Sequence, residues 1–310
     1  MSETRMTNTA VILLGHGAPE DVKDIPEYLR NIRGGKESSP EVIKEVTERY
    51  EIIGGASPFR KLTEEQAAAL EQFLNQEGDE FKVYCGMRVW PPFIKDVVQQ
   101  AMEDGAERLV AICLAPQYSE WSTERYWRAF LEALKDVPGH IPFYFITSWA
   151  DHPSLIDAFE DRYRAAVETM KEEGVEEFHT VFTVHSIPEG PRGKDDPYVH
   201  DYNRTMDALI ERVQPSPWYQ AYQSQGMIPV PWLEPSVEQT LDEIAEAGGK
   251  NVLVVPVGFV CDHVEILYDI DVAFKEYAEQ KGMRLFRTES LNSAPGLIEA
   301  LAATIWERLA

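Results

Sequence analysis

Eight short runs rich in β-branched and aromatic residues recur along this chain, each separated from the next by at least one amphipathic stretch of helix length. The rhythm dictates a parallel α/β sheet, because neighbouring parallel strands need a crossover of a dozen or more residues and a helix supplies it. Strands are predicted at 10–14, 81–87, 108–114 and 142–147, and again at 179–185, 218–224, 251–257 and 284–288. Helices are predicted at 41–53, 63–75, 93–104 and 122–134 in the first half. The second half carries them at 153–173, 201–213, 236–247, 265–280 and 295–309.

Two four-stranded sets meeting near 148–153 predict two similar open sheets, with domains over 1–150 and 151–310, rather than one closed barrel of eight strand–helix units. At 310 residues, 44% of them hydrophobic, the chain can fill two cores. Open parallel sheets bind ligands beyond the carboxyl ends of their strands, which directs attention to 15–19, 117–122, 185–188 and 258–265. Lys and Arg number 29 against 53 Asp and Glu, a net charge of -24 that argues against nucleic acid and against a basic patch on anionic lipid. No apolar run reaches the ~20 residues of a membrane helix, so no transmembrane segment is expected. The polar start, 1–9, lacks the order of a signal peptide, and a cytoplasmic address is expected. Cys85, Cys113 and Cys261 stand far apart, so no iron–sulfur cluster or cysteine zinc site is expected.

Thr183-Val184-His185-Ser186-Ile187-Pro188 places a histidine where an apolar strand ends, a position for a catalytic or ligating side chain. A histidine satisfying a buried carbonyl would look the same. The stretch Pro256 to Asp269 carries a second strand into a helix through Gly258, with Asp262, His263 and Glu265 at the turn. Asp262 as N-cap with Glu265 three residues on would be a variant capping box, the competing explanation. Glu265 and Asp269 stand four apart, on one face of a helix, where like charges repel slightly and an oppositely charged partner would have served stability better.

Gly15-His16-Gly17-Ala18-Pro19 follows the first strand but lacks both the dinucleotide glycine fingerprint and a Walker lysine. Its glycines suit close backbone approach to a flat ligand. Arg49-Tyr50 and Gly54-Gly55-Ala56-Ser57-Pro58 end a helix in a glycine-rich turn, which is also how an ordinary helix stops. Arg33, Arg49, Tyr126, Trp121 and Trp232 could pair carboxylates and wall a planar anion, or the aromatics could be core.

In order and spacing, Arg49-Tyr50 with Ile53 to Pro58, Leu114-Ala115-Pro116-Gln117-Tyr118-Ser119, His185-Ser186-Ile187-Pro188, Tyr222-Gln223-Ser224 and Val257 to Asp271 resemble the ferrochelatase family over nearly the whole chain. The resemblance implies two Rossmann-like domains with a porphyrin cleft between them, and a last helix crossing back to the first domain. It implies insertion of ferrous iron into coproporphyrin III or protoporphyrin IX, with iron as substrate and no required cofactor. Under it, His185 and Glu265 are the catalytic and metal-site pair, and Asp269 continues an acidic path. His16, Arg33, Arg49, Tyr50, Ser57, Tyr126 and Trp232 become porphyrin-binding positions. The implied partners are the porphyrin and haem-pathway enzymes, with the chain acting as a monomer. Short length without a cysteine-bearing carboxyl-terminal extension resembles the coproporphyrin-using members.

Three positions depart from the family pattern. His16 stands where small members often carry a tyrosine that approaches iron, and histidine could be an axial ligand of product iron. Val89 replaces a histidine of some relatives, and Ala273 replaces a glutamate of the acidic helix line. The expected mechanism is that His185, neutral near pH 7, takes a pyrrole proton or passes iron while Glu265 balances charge. Two alternatives stand beside it. One is a cobalt or iron chelatase acting on a sirohydrochlorin-type ring; the other is a non-catalytic haem carrier using His16.

Overall fold

A computed structural model describes residues 8–76, 78, 80–226 and 228–310. They form two compact units: the described residues up to Trp149 together with Asn292–Ala310, and Ala150–Leu291. The second unit therefore stops short of 310.

The first unit holds β1 (Thr9–Gly15), a 3-10 turn, α1 (Ile25–Ile32), α2 (Pro40–Ile52), α3 (Phe59–Leu74), β2 (Phe81–Met87), α4 (Ile94–Glu103), β3 (Arg108–Cys113), α5 (Thr123–Leu134) and β4 (Phe143–Ile146). Its sheet is parallel in the order β2-β1-β3-β4. All seven residues of β1 are buried, as a central strand covered by helices on both faces requires. Ser39 accepts from the Val42 amide and Pro40 occupies the first helical position, which together start α2.

The second unit holds α6 (Pro153–Glu172), β5 (His179–His185), a short 3-10 turn, α7 (Pro197–Val213), β6 (Trp218–Gln223), α8 (Val237–Glu246), β7 (Asn251–Pro256), α9 (Val264–Leu267), a π-helical segment (Asp269–Phe274), α10 (Lys275–Gln280) and β8 (Arg284–Arg287). Its sheet repeats the topology as β6-β5-β7-β8, also parallel. A full capping box starts α8: the Gln239 amide donates to Ser236 Oγ at 3.2 Å while the Gln239 side chain accepts from the Ser236 amide at 2.7 Å. The final helix, α11 (Pro295–Leu309), packs in the first unit against α3, with the Phe73 and Trp306 rings 5.8 Å apart and Gln66 Nε2 donating to Asn292 O at 2.7 Å.

All eight strands lie where the alternation predicts them. Two helical features differ. The helix α1 arises in a stretch without predicted structure, and the continuous helix predicted over 265–280 is instead α9, a π segment and α10. The cause is the spacing of the buried residues. Ile266, Ile270, Phe274 and Ala278 all enter one core cluster, four apart. Four residues advance an α-helix by about 400°, so three such steps would carry the row about 120° off the core. Widening the turn keeps it in place: the Ala273 amide donates to Tyr268 O, five residues back, at 2.9 Å.

Candidate functional site

In each sheet the central strand pair diverges to opposite sides, β1 from β3 and β5 from β7, which makes the switch point where open sheets take ligands. In the second unit this mouth carries the end of β5, the loop after β7 and the start of α9. Gly258 lets the two strand ends close up: a Cβ there would stand 3.0 Å from Val184 Cα and from two side-chain carbons of Val184.

His185 ends β5, fixed from behind by Tyr198, whose hydroxyl donates to His185 O at 2.8 Å. The ring's Nδ1 is hydrogen bonded to Ser186 O, and since a carbonyl only accepts, Nδ1 carries the proton. The lone pair of Nε2 is thereby aimed at Glu265 Oε1, 3.4 Å away, both side chains 36% exposed. Two acceptors face one another, and a cation between them resolves the conflict. Burial pulls the His185 pKa down, but the charge and hydrogen bond of Glu265, the Ser186 carbonyl and the charge of Asp269 together outweigh it. The net result is a pKa above the ordinary value.

Behind the pair, Asp269 is buried and accepts from Ser224 Oγ at 2.5 Å, with Ser224 itself at a positive φ of 60° just past β6. Gln223 Nε2 donates to Glu265 O at 2.9 Å while Gln223 Oε1 accepts from Thr183 Oγ1 at 2.7 Å, tying α9 to the sheet. Asp262 does not cap the helix, the alternative that its spacing to Glu265 left open. It accepts from Ser290 Oγ at 2.7 Å and lies 3.5 Å from Arg287, which also grips Asp271 of the π segment through two bonds of 2.7 and 2.8 Å. The cap is His263, whose Nδ1 accepts from the Glu265 amide at 3.1 Å. Burial pushes the His263 pKa down, which keeps that ring neutral and able to accept. Phe259 packs between the two histidines, 6.4 Å from His185 and 4.8 Å from His263. Trp232 flanks the chain after His185: Pro188 and Trp232 pair as an antiparallel bridge, and Gly226 leaves room for the indole.

At the mouth of the first sheet, His16 follows β1 and Arg88 follows β2. Backbone pairing continues past the strands, Arg88 N to Gly15 O and Val89 N to His16 O, both 3.0 Å. Arg88 Nη2 lies 3.4 Å from His16 Nδ1, and the Tyr28 ring meets His16 edge-on at 6.2 Å. Burial pulls the Arg88 pKa down, Tyr126 and Tyr28 oppose this, and Arg125 adds a second positive charge nearby. Of the other predicted positions, Tyr50 and Ser57 are buried around the turn at 54–58, where Gly55 N donates to Tyr50 O at 2.8 Å and Ser57 N to Pro19 O at 3.3 Å. Tyr126 lies in the core cluster on α5. Arg49 pairs with Glu45 at 2.6 Å, and Arg33 donates to Ser38 Oγ at 3.2 Å on an exposed loop. Val89 is buried and its carbonyl accepts from Asn31, while Ala273 supplies the π-type amide bond.

The second unit thus brings His185, Glu265 and Asp269 together, with His263, Ser224 and Arg287 as supports that sequence reasoning missed. Arg88 was missed too. It stands one residue beyond β2 and directly before Val89. A cavity of about 1050 Å³ lies elsewhere, at the amino ends of β5, β6 and β7 beside His179, Pro217 and Asn251.

The family model described as Ferrochelatase matches residues 8–309. A protein of Acidobacterium capsulatum named ferrochelatase is 43% identical, covering 94% of this chain and 92% of its own. One of Bacillus subtilis named coproporphyrin III ferrochelatase is 34% identical, covering 100% and 99%. Among solved structures, a sirohydrochlorin chelatase of Bacillus subtilis subspecies spizizenii in complex with cobalt matches with a TM-score of 0.60 at 12% identity, over 97% of this chain and 95% of that one. At that identity the match carries the fold alone.

Proposed function

Because the chain belongs to the ferrochelatase family, we propose that His185 and Glu265 are the residues through which its iron passes. The reaction is insertion of ferrous iron into a porphyrin in haem biosynthesis, with iron as substrate. The observation carrying the assignment is the opposed pair itself: an imidazole lone pair held against a carboxylate oxygen at 3.4 Å. Two ligands each about 2.1 Å from one ion stand roughly 3.0–3.5 Å apart at common coordination angles, so the pair needs no rearrangement to receive a divalent metal. Among the described residues no group of three or more His, Cys, Asp or Glu converges to hold a metal ion. A two-ligand set leaves most of the coordination sphere open, as suits an ion handed on rather than kept.

A free porphyrin keeps two protons on its pyrrole nitrogens and its lone pairs in the ring plane, so insertion requires bending the ring and removing both protons. Binding energy spent on distortion can contribute about 1–5 kcal/mol. As iron leaves the pair for the ring, Nε2 and Oε1 again face each other unshared, and a released pyrrole proton satisfies them. Iron thus departs as a proton arrives, and the second proton goes to solvent. Asp269, held by Ser224, adds negative charge behind the pair and favours the cationic occupant in either form.

The substrate is coproporphyrin III in our reading, supported by the names of five relatives at 34–36% identity. Arg88 and Arg125 give the first sheet's mouth a cationic character suited to carboxylate side arms. Among the described residues no helix is long and apolar enough to cross a membrane. Anaerobic insertion of ferrous iron, followed by visible absorbance with coproporphyrin III and protoporphyrin IX in parallel, tests both points. Turnover of coproporphyrin III that is lost in His185→Ala and Glu265→Gln is the expected result. Full activity in both folded variants would refute the residue assignment, and preferred turnover of protoporphyrin would refute the substrate.

A further inference from the structure

His185 and Glu265 stand on different elements, and one buried residue reaches both. Gln223 ends β6, 1% exposed, in register with His185 on β5. Its main chain serves the histidine. Gln223 O accepts from the Ser186 amide at 2.7 Å, and Ser186 O in turn accepts from His185 Nδ1, so the residue that orients the imidazole is itself held by Gln223. Its side chain serves the carboxylate, with Nε2 donating at 2.9 Å to Glu265 O on α9.

The direction of the Gln223 amide is forced. Glu265 O can only accept, so the amide must present its nitrogen there and its oxygen to Thr183, whose hydroxyl donates at 2.7 Å. A reversed amide would set two acceptor oxygens against each other away from water. Thr183 is fully buried two residues before His185, on the same face of the sheet as His185 and Gln223, because side chains alternate along a strand. Val181 and Ala221 continue that face inward and belong to one core cluster with Ile266 of α9, so the face carrying Gln223 is the one on which the helix of Glu265 packs.

We propose that Gln223 is a positioning residue that sets the span between His185 Nε2 and Glu265 Oε1, with Thr183 fixing the direction of its amide. The inference rests on the reading of that pair as the iron seat for its consequence in metal affinity; the span itself is geometry. Metal ligands are oriented by outer partners whose loss costs about 10–100-fold in affinity, and here one residue is an outer partner of both. It acts on them by different means. A change in the Gln223 side chain moves Glu265, while the backbone bond to Ser186 that places His185 remains.

The test titrates Co²⁺ calorimetrically into porphyrin-free protein and takes the site to be the binding lost in His185→Ala. Gln223→Met keeps the length of the side chain and removes the donor. It should weaken Co²⁺ at this site about 10–100-fold and raise the KM for ferrous iron with the KM for porphyrin unchanged. Thr183→Val, which leaves the amide free to turn, should weaken Co²⁺ in the same direction, and Thr183→Ser, which keeps the hydroxyl, should bind as wild type does. Wild-type Co²⁺ affinity in folded Gln223→Met, or equal affinities in Thr183→Val and Thr183→Ser, would overturn the proposal. A crystal structure of Gln223→Met should show Glu265 displaced and His185 in place; a separation still at 3.4 Å would overturn the proposal whatever the metal does. Should Gln223→Met fail to fold, the two Thr183 variants decide alone. Co²⁺ binding undiminished in His185→Ala would count against the iron seat and leave the crystallographic comparison to decide the span.

Discussion

Gly258→Ala should damage the site without touching a single chemical group in it. A methyl at 258 would stand 3.0 Å from Val184 Cα, Cβ and Cγ1. Carbon atoms settle about 3.5–4.0 Å apart, so the ends of β5 and β7 must part by about 0.5–1 Å. The obstacle includes the backbone of the residue that precedes His185, which no rotamer change can move aside. Overpacking of this kind costs about 1–3 kcal/mol. With a urea slope of about 1–3 kcal/mol per molar, the unfolding midpoint should fall by about 1 M. The larger effect is on chemistry, because His185 rides on one strand end and Glu265 on α9, just past the loop leaving the other. A displacement approaching 1 Å at reacting groups costs about a hundredfold in rate, so kcat should drop about 10–100-fold. Gly248→Ala is the control: its Cβ meets nothing within 4 Å but its φ is 85°, so it should lose about 1–2 kcal/mol and keep its turnover. Urea unfolding and stopped-flow iron insertion measure the two quantities. Wild-type kcat in Gly258→Ala would refute the claim that the strand ends set the pair's spacing.

Protons and iron should compete for the His185–Glu265 pair. The folded pKa of His185 lies above its ordinary 6.5, so the proton stays on below that value and leaves as pH rises through the raised one. The KM for ferrous iron should therefore fall as pH rises through the raised value, while the iron-free protein loses the stability that the protonated pair supplies. A pH profile of ferrous iron binding, titrated without porphyrin, that is as steep in Glu265→Gln as in wild type would contradict this. Ser224→Ala removes a donor from buried Asp269 and should cost about 1–3 kcal/mol in urea unfolding; no loss would mean that another donor takes over. The thiols should resist labelling by a disulfide reagent in the native state and all react after unfolding. Burial pushes Cys85 up to about 12 and Cys113 higher still, and Cys261 is buried. Rapid native labelling of any of them would be the contrary result.

The strands were legible because a parallel strand covered on both faces needs an unbroken apolar run, and TAVILLG or NVLVVP can hardly be anything else. Segment 265–280 was harder. Its apolar residues are spaced by four, close enough to 3.6 to suggest a plain helix, and only their shared burial in one cluster exposes the wider π turn. His263 was hidden by a competing capping pattern, since Asp262 has the commoner capping side chain but is engaged by Ser290 and Arg287. That engagement depends on β8 and the chain beyond it, more than twenty residues on, and no local pattern reveals it. Arg88 escaped notice for a different reason. An arginine after a strand usually reaches solvent, and its half-buried place beside His16 follows from the pairing of β1 with β2.

The two units share one strand order and diverge in what their loops bring to the strand ends. At the mouth of the second sheet, the charges of Glu265 and Asp269 stand beside an imidazole and raise its pKa against the effect of burial. At the mouth of the first, Arg88 with Arg125 nearby faces an imidazole from the other side of the charge scale. The same side chain is thereby put to opposite uses. In His185 the Ser186 carbonyl accepts from Nδ1–H and Nε2 faces the Glu265 carboxylate, whereas at His16 a guanidinium stands against Nδ1. Metal insertion needs one centre that attracts iron and product surroundings that do not hold it.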